Sequence, residues 1–117
     1  MIEEGQIVLF TFPQADQDVG KLRPALVLRQ LPSMHNDWLV CMISSRIHQQ
    51  ATTLDEVLLR EDSDFATTGL NLPSVVRVTR LAVASAEILH GAVGRLTSER
   101  LQRIRVRLAR WIQGIAS

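Results

Sequence analysis

Most of the chain consists of short apolar runs separated by turn-forming residues, and this pattern restricts it to a mainly β fold. The runs are rich in β-branched and aromatic residues, which favour strands. They cover residues 7–12, 24–28, 38–45, 55–59 and 74–81. The first two runs are apolar on both faces, which predicts that they lie in the middle of a sheet or barrel. The last run alternates β-branched and basic residues, which predicts a strand with one cationic side facing solvent.

The end of the chain has the period of an amphipathic helix instead. Thr97 or Ser98 can cap its N-terminus, with Glu99 in the first turn. The apolar face is formed by Leu101, Ile104, Leu108, Trp111, Ile112 and Ile115. The opposite face carries a basic ridge formed by Arg100, Arg103, Arg107 and Arg110. We expect this ridge either to face solvent or to contact an anionic partner.

Length and charge bound what the chain can be. With 117 residues, of which 46% are hydrophobic, it is long enough for a single domain over residues 1–117. The net charge is only +1, but residues 1–73 carry five Lys or Arg and ten Asp or Glu, whereas residues 74–117 carry eight Arg and two Glu. This asymmetry could attract an anionic polymer to one face or help two copies to pair.

A single cysteine and the absence of a long apolar run indicate the cellular compartment of the protein. Cys41 is alone, so it allows neither an intramolecular disulfide nor a cysteine-based zinc cluster, and we expect a buried thiol. No apolar run reaches the roughly 18 residues needed to cross a bilayer, and the first residues lack the basic start of a secretory signal. We expect a cytoplasmic protein that uses no metal or cofactor and does not bind membranes.

The segment 20–28 combines a basic loop with an apolar strand. Pro24 fixes its own φ and restricts Arg23 to extended geometry, so the planar guanidinium is presented from the start of a strand. A guanidinium held in this way suits a phosphate group. The run 38–45 ends in two hydroxyl residues, Ser44 and Ser45.

The order of strand, polar loop, Lys-Leu-Arg-Pro and strand, followed by Ile43-Ser44-Ser45, resembles the MazF/PemK family of toxin endoribonucleases over nearly the whole chain. The resemblance implies an SH3-like, partly open β-barrel of the MazF/CcdB toxin type with a C-terminal α-helix. It also implies a type II toxin that cleaves single-stranded RNA at specific sequences, without a metal, by attack of the ribose 2′-hydroxyl. The products would be a 2′,3′-cyclic phosphate and a 5′-hydroxyl.

The same resemblance implies partners for the chain. Two copies would form a homodimer with an RNA groove at their seam. An antitoxin with an acidic, partly disordered segment would cover that groove, since such a segment competes with phosphates.

The catalytic residues implied by the resemblance are Arg23, Ser44 and Asp18. Arg23 would stabilise the charge that develops on the phosphate. Ser44 would donate a hydrogen bond to the same phosphate, with Ser45 as its competitor, because neighbours on a strand point to opposite faces. Alternatively, both hydroxyls bond only to backbone at a strand end.

The general base remains open. Many family members place an acid in the first loop or on a late strand, and Asp16 and Asp18 are the loop candidates in this chain. The late strand offers Arg77 and Arg80 instead of an acid. Asp18 is therefore either the base or a solvated loop charge.

RNA contacts are expected from seven further residues, namely Phe12, Gln14, Lys21, Ser45, Arg46, Arg77 and Arg80. Phe12 could stack on an unpaired base or belong to the core.

Two other functions fit the same fold. A related toxin barrel poisons DNA gyrase by protein contact, which would require an exposed apolar anchor such as Trp111 with Ile112. A catalytically inactive homologue would still bind an antitoxin or RNA.

Overall fold

The computed structural model of the chain describes residues 1–12, 21–49 and 53–115. Six strands form one antiparallel sheet, which curves into a half-barrel. They are β1 (Gln6–Phe10), β2 (Arg23–Gln30), β3 (Asp37–Ser44), β4 (Glu56–Leu58), β5 (Ser74–Ser85) and β6 (His90–Arg95). The helix α1 (Ser98–Ile112) follows the last strand. Short 3₁₀ turns cover Ile47–Gln49, Phe65–Thr68 and Ala86–Ile88.

The strand order in the sheet is β4-β5-β3-β2-β1-β6. Both β1 and β2 are therefore interior strands, as their two apolar faces predict. The mainly β half-barrel with one C-terminal helix is also confirmed. The strand predicted at residues 74–81 continues to Ser85, because its second half still pairs with β3.

The two faces of the sheet have separate apolar clusters. On the helix-covered face, residues such as Ile7, Leu26 and Ile43 pack against α1 through Leu101 and Ile104. Alternate residues of the same strands point to the opposite face. There the cluster comprises Val8, Phe10, Phe12, Ala25, Val27, Trp38, Val40, Ala84 and Leu89. Burial of these apolar side chains on both faces stabilises the sheet at roughly 25 cal/mol per Å².

The helix begins as predicted, with Thr97 as its N-cap. The Thr97 hydroxyl accepts a hydrogen bond from the backbone N–H of Arg100 at 3.3 Å. The buried residues of α1 are Leu101, Ile104 and Leu108. Trp111 and Ile112, which continue the predicted apolar face, are 48% and 66% exposed. Ile112 lines a cavity between α1 and the sheet, together with Leu28 of β2 and Leu39 of β3.

The basic ridge does not simply face solvent, because the guanidinium groups of three of its four arginines bind carboxylates of this chain. Arg100 donates to Asp64 at 2.6 Å, to Asp62 at 2.9 Å and to Glu56 at 3.0 Å. Arg107 reaches Glu56 at 2.9 Å, and Arg103 also pairs with Glu56. The opposite charges of the two halves of the sequence thus meet inside one chain, across the junction between α1 and the segment 56–64.

The environment of this network favours the ionised forms of Glu56 and Asp64. Burial alone would raise the pKa of Glu56, but the hydrogen bond from Arg103 and the charges of Arg100 and Arg107 outweigh it, so the pKa is lowered. The hydrogen bond from Arg100 likewise lowers the pKa of Asp64. The network therefore fastens α1 to the sheet through fully charged pairs.

Cys41 is buried in β3, and burial raises the pKa of its thiol, as expected for an inert structural cysteine. Within the described residues, none of the helices has the length and apolar character that crossing a bilayer requires.

Candidate functional site

Arg23 and Ser44 stand at the same end of two neighbouring strands. Arg23 begins β2 and Ser44 ends β3, and the two strands are antiparallel, with Ala25 opposite Met42. Continuing this register to the strand ends brings Arg23 opposite Ser44. Residues directly opposite one another have Cβ atoms roughly 5 Å apart and share a face. Arg23 and Ser44 therefore lie side by side on the face opposite α1.

The neighbours of Arg23 limit how its side chain can move. On β1, Phe10 is opposite Arg23 and Leu9 is opposite Pro24. Phe10 is buried and meets Phe12 edge to face, with ring centroids 4.8 Å apart. Arg23 is half-buried, and the rings of Phe10 and Phe12 make its surroundings apolar. Hydrogen bonds to an anion are stronger in such surroundings than in water.

The hydroxyl of Ser44 is oriented by the chain that follows it. Its Oγ accepts a hydrogen bond from the backbone N–H of Arg46 at 3.0 Å. A serine hydroxyl has one proton to donate and two acceptor positions, so this bond leaves the proton available. The backbone bond expected at a strand end is therefore present, and it is compatible with donation to a ligand.

The family model for PemK-like, MazF-like toxins of type II toxin-antitoxin systems matches residues 3–112. The chain belongs to this family. A comparison with curated protein sequences gave no significant match.

Solved structures of MazF-like toxins share the fold of this family member. An endoribonuclease in complex with its cognate antitoxin, from a mycobacterial species, superposes with a TM-score of 0.69 at 13% identity, covering 100% of this chain and 99% of that one. The Mycobacterium tuberculosis toxin MazF-mt6 gives a TM-score of 0.64 at 20% identity, covering 96% of this chain and 99% of that one. At these identities the likeness shows the fold alone.

The remaining predicted site residues of this MazF/PemK toxin fall into distinct situations. Ser45 follows Ser44 at the strand end and is exposed, and Lys21, Arg46 and Arg80 are exposed as well. Ser45 lies one residue beyond the end of β3, so the alternation of side chains along the strand does not fix the face on which it lies. The predicted residues Gln14, Asp16 and Asp18 lie outside the described residues.

Phe12 and Arg77 are less accessible than the other predicted RNA contacts that the structure describes. Phe12 is only 9% exposed and belongs to the cluster on the face opposite α1, which favours the core alternative. Arg77 is half-buried, and its Nε lies 3.5 Å from a carboxylate oxygen of Asp55.

Asp55 is a buried acid that the sequence did not reveal. In β5 a bulge separates Arg77, which is opposite Met42, from Leu81, which is opposite Cys41. The backbone N–H of Val78 lies in this bulge and donates to Asp55 Oδ1 at 2.9 Å. Asp55 is 4% exposed, and its carboxylate accepts a backbone hydrogen bond at the bulge that interrupts the pairing of β5 with β3. No local sequence signal connects it to a strand more than twenty residues away.

Proposed function

We propose that this toxin is a metal-independent endoribonuclease for single-stranded RNA, in which Arg23 and Ser44 act on the same phosphate. The observation that supports it best is the register of β2 and β3, which sets Arg23 opposite Ser44 when it is continued from the pair Ala25 and Met42 to the strand ends. A guanidinium beside a hydroxyl offers several donors and no acceptor of high basicity, which suits the non-bridging oxygens of a phosphodiester.

The chemistry needs no metal because the nucleophile is part of the substrate. The ribose 2′-oxygen loses its proton and attacks the adjacent phosphorus, and the bond from phosphorus to the 5′-oxygen breaks as that oxygen gains a proton. Negative charge accumulates on the non-bridging oxygens in the transition state. Arg23 binds these oxygens through two parallel N–H groups, and Ser44 donates its Oγ proton to one of them.

The other roles rest on the family resemblance. Asp18 is proposed as the general base, and the exposed Lys21, Ser45, Arg46 and Arg80 as contacts to the RNA. A homodimer in the cytoplasm, inhibited by an acidic antitoxin segment, completes the proposal. The mycobacterial structure of an endoribonuclease with its cognate antitoxin supports the antitoxin as a partner.

The test is incubation of the purified protein with RNA of mixed sequence in EDTA. Wild-type protein is expected to cut the RNA and leave 5′-hydroxyl ends. Arg23→Ala is expected to lose roughly 100- to 1000-fold in rate, as when one preorganised donor is removed from an oxyanion site.

Arg29→Ala is the matched control, because Arg29 is an exposed arginine of the same strand β2. It is expected to keep the wild-type rate. Intact RNA with the wild-type protein, or cleavage that Arg23→Ala leaves unchanged, would contradict the nuclease.

One observation favours a second candidate, a toxin that poisons DNA gyrase by contact. Such a toxin needs an exposed apolar anchor, and Trp111 and Ile112 are exposed at the end of α1. In that case gyrase stalls on DNA in the presence of the wild-type protein, Trp111→Ala relieves the stalling, and Arg23→Ala does not.

A further inference from the structure

A cavity of about 710 Å³ opens at the other end of the face that carries Arg23 and Ser44. Its walls include Gln6 of β1, Gln30 of β2 and Trp38 of β3, with Leu89 closing one side. Trp38 and Ser44 lie on the same face of β3, at opposite ends, so about 20 Å separates them at roughly 3.3 Å per residue. The cavity is therefore distinct from the proposed cleavage site but on its face.

Three amide side chains at this cavity have fixed orientations. The indole N–H of Trp38, which can only donate, points to Asn36 Oδ1 at 3.0 Å, so the amide nitrogen of Asn36 must face away. Gln30 Nε2 donates to the same Oδ1 at 3.0 Å, which turns the oxygen of Gln30 outward. The backbone N–H of Glu3 donates to Gln6 Oε1, which turns the nitrogen of Gln6 outward.

The backbone holds Asn36 in place as well. Asn36 has a positive φ of 53°, a conformation that Asn tolerates better than most residues. Its carbonyl accepts a hydrogen bond from the backbone N–H of Ala86 at 3.0 Å. Two donors on Asn36 Nδ2, donors on Gln6 Nε2 and an acceptor on Gln30 Oε1 thus remain unused by any described residue at the cavity.

The composition of the walls indicates the ligand. The described side chains that line the cavity are uncharged, and among these lining residues the amino group of Met1 is the one formal charge. The unused side-chain groups are amide donors and acceptors, which suit a neutral polar edge better than a phosphate or an acidic peptide. A purely apolar ligand would leave the three amides without partners, which is costly on desolvation. A flat, neutral group with donors and acceptors along its edge and an apolar body satisfies both conditions, and nucleobases have this chemistry.

We propose that this cavity binds one base of the RNA at a distance from the scissile bond, with Asn36, Gln30 and Gln6 reading its edge. This inference rests on the proposed nuclease function and adds a specificity site to it. The RNA strand would run along the face from the phosphate at Arg23 and Ser44 to the base at Trp38.

The test uses Asn36→Asp, which keeps the acceptor for Trp38 and Gln30 but replaces the free donor by an acceptor. Cleavage rates are measured on oligonucleotides in which one position at a time is varied. The preference among bases is expected to change at a single position remote from the cut, by roughly 3- to 10-fold, as for one hydrogen bond.

Met34→Asp is the control, because it adds the same charge on the same hairpin at a residue that is 97% exposed and outside the cavity. It is expected to leave the base preferences as they are. A change that is equal at all positions, or equal in the two variants, would overturn the base site.

A second measurement does not depend on cleavage. In Arg23→Ala protein labelled with ¹⁵N, the indole N–H resonance of Trp38 is followed while single-stranded RNA is added, with Trp111 as internal reference. A shift of Trp38 alone supports the base site even if the wild-type protein cuts no RNA. Cleavage without any shift of Trp38, or a shift that follows protein concentration instead of RNA, overturns the base site and leaves the nuclease standing.

Discussion

Arginines on the two sides of the sheet are in different situations. On the helix-covered side, Arg100 is only 13% exposed and binds three carboxylates of the same chain. On the other side, Arg23 stands at a strand end beside a serine hydroxyl whose proton can be donated. The first arrangement stabilises the fold, and the second is the one that we propose for contact with the RNA phosphate.

The difference shows that a count of charges does not identify a binding surface. The arginines of α1 are the densest cationic cluster in the sequence, yet the acidic segment 56–64 neutralises most of them. An anionic partner recognises cations that the fold leaves accessible, and these are scattered through the loops and strand ends. A helix face rich in arginine is therefore weak support for nucleic-acid binding unless the carboxylates elsewhere in the chain are accounted for.

The largest expected effect is the loss of stability in Arg100→Ala. Removing the guanidinium leaves Glu56, Asp62 and Asp64 close together without their shared partner, and Glu56 is buried. The free energy of unfolding should fall by about 3 kcal/mol, as when one member of a buried ion pair is removed. Urea denaturation measures this change, with Arg29→Ala expected within about 0.5 kcal/mol of the wild type. Equal stability of the two variants would show that the network does not hold α1.

Ser44→Ala tests the proposed site on the face opposite α1. Loss of the donated hydrogen bond is expected to slow RNA cleavage by roughly 10- to 100-fold, the worth of a hydrogen bond to a charged group. Ser45→Ala is the comparison variant, because it removes the neighbouring hydroxyl, which is proposed to contact the RNA but not the scissile phosphate. It should slow cleavage less than Ser44→Ala, by about threefold at most. The reverse order of the two effects would mean that Ser45, and not Ser44, faces the phosphate.

Acidic pH should weaken the ion pairs on the helix-covered side of the sheet. Because the folded pKa values of Glu56 and Asp64 are lowered, their stabilising contribution is complete above the unfolded values of about 4.3 and 3.9. It is lost as the pH falls through the folded pKa values. Unfolding free energy measured between neutral and acidic pH should therefore decline below about pH 4.

The matched variant for this pH dependence is Glu56→Gln. It should be less stable at neutral pH, with an acid slope smaller by up to about 1.4 kcal/mol per pH unit. An unchanged slope would assign the acid sensitivity to other carboxylates.

Local patterns predicted five of the six strands, the capped helix and the interior positions of β1 and β2, because period and composition act over neighbouring residues. The strand β6 (His90–Arg95) was missed, since it contains two glycines and is mostly exposed. The motif around Arg23 and the hydroxyl at Ser44 were found through the family resemblance. The pairing of Arg100 with Glu56, Asp62 and Asp64 was missed, since it joins segments that only the folded chain brings together. The same holds for Asp55 in the β5 bulge and for the amides around Trp38. Asp18 remains a prediction.

The most direct test of the account is a double-mutant cycle on RNA cleavage with Arg23→Ala, Ser44→Ala and the variant that carries both changes. If the two side chains act on one phosphate, their effects are coupled, and the double variant should lose little more than Arg23→Ala alone. Losses in rate that multiply, as for independent sites, would contradict a phosphate shared by Arg23 at the start of β2 and Ser44 at the end of β3.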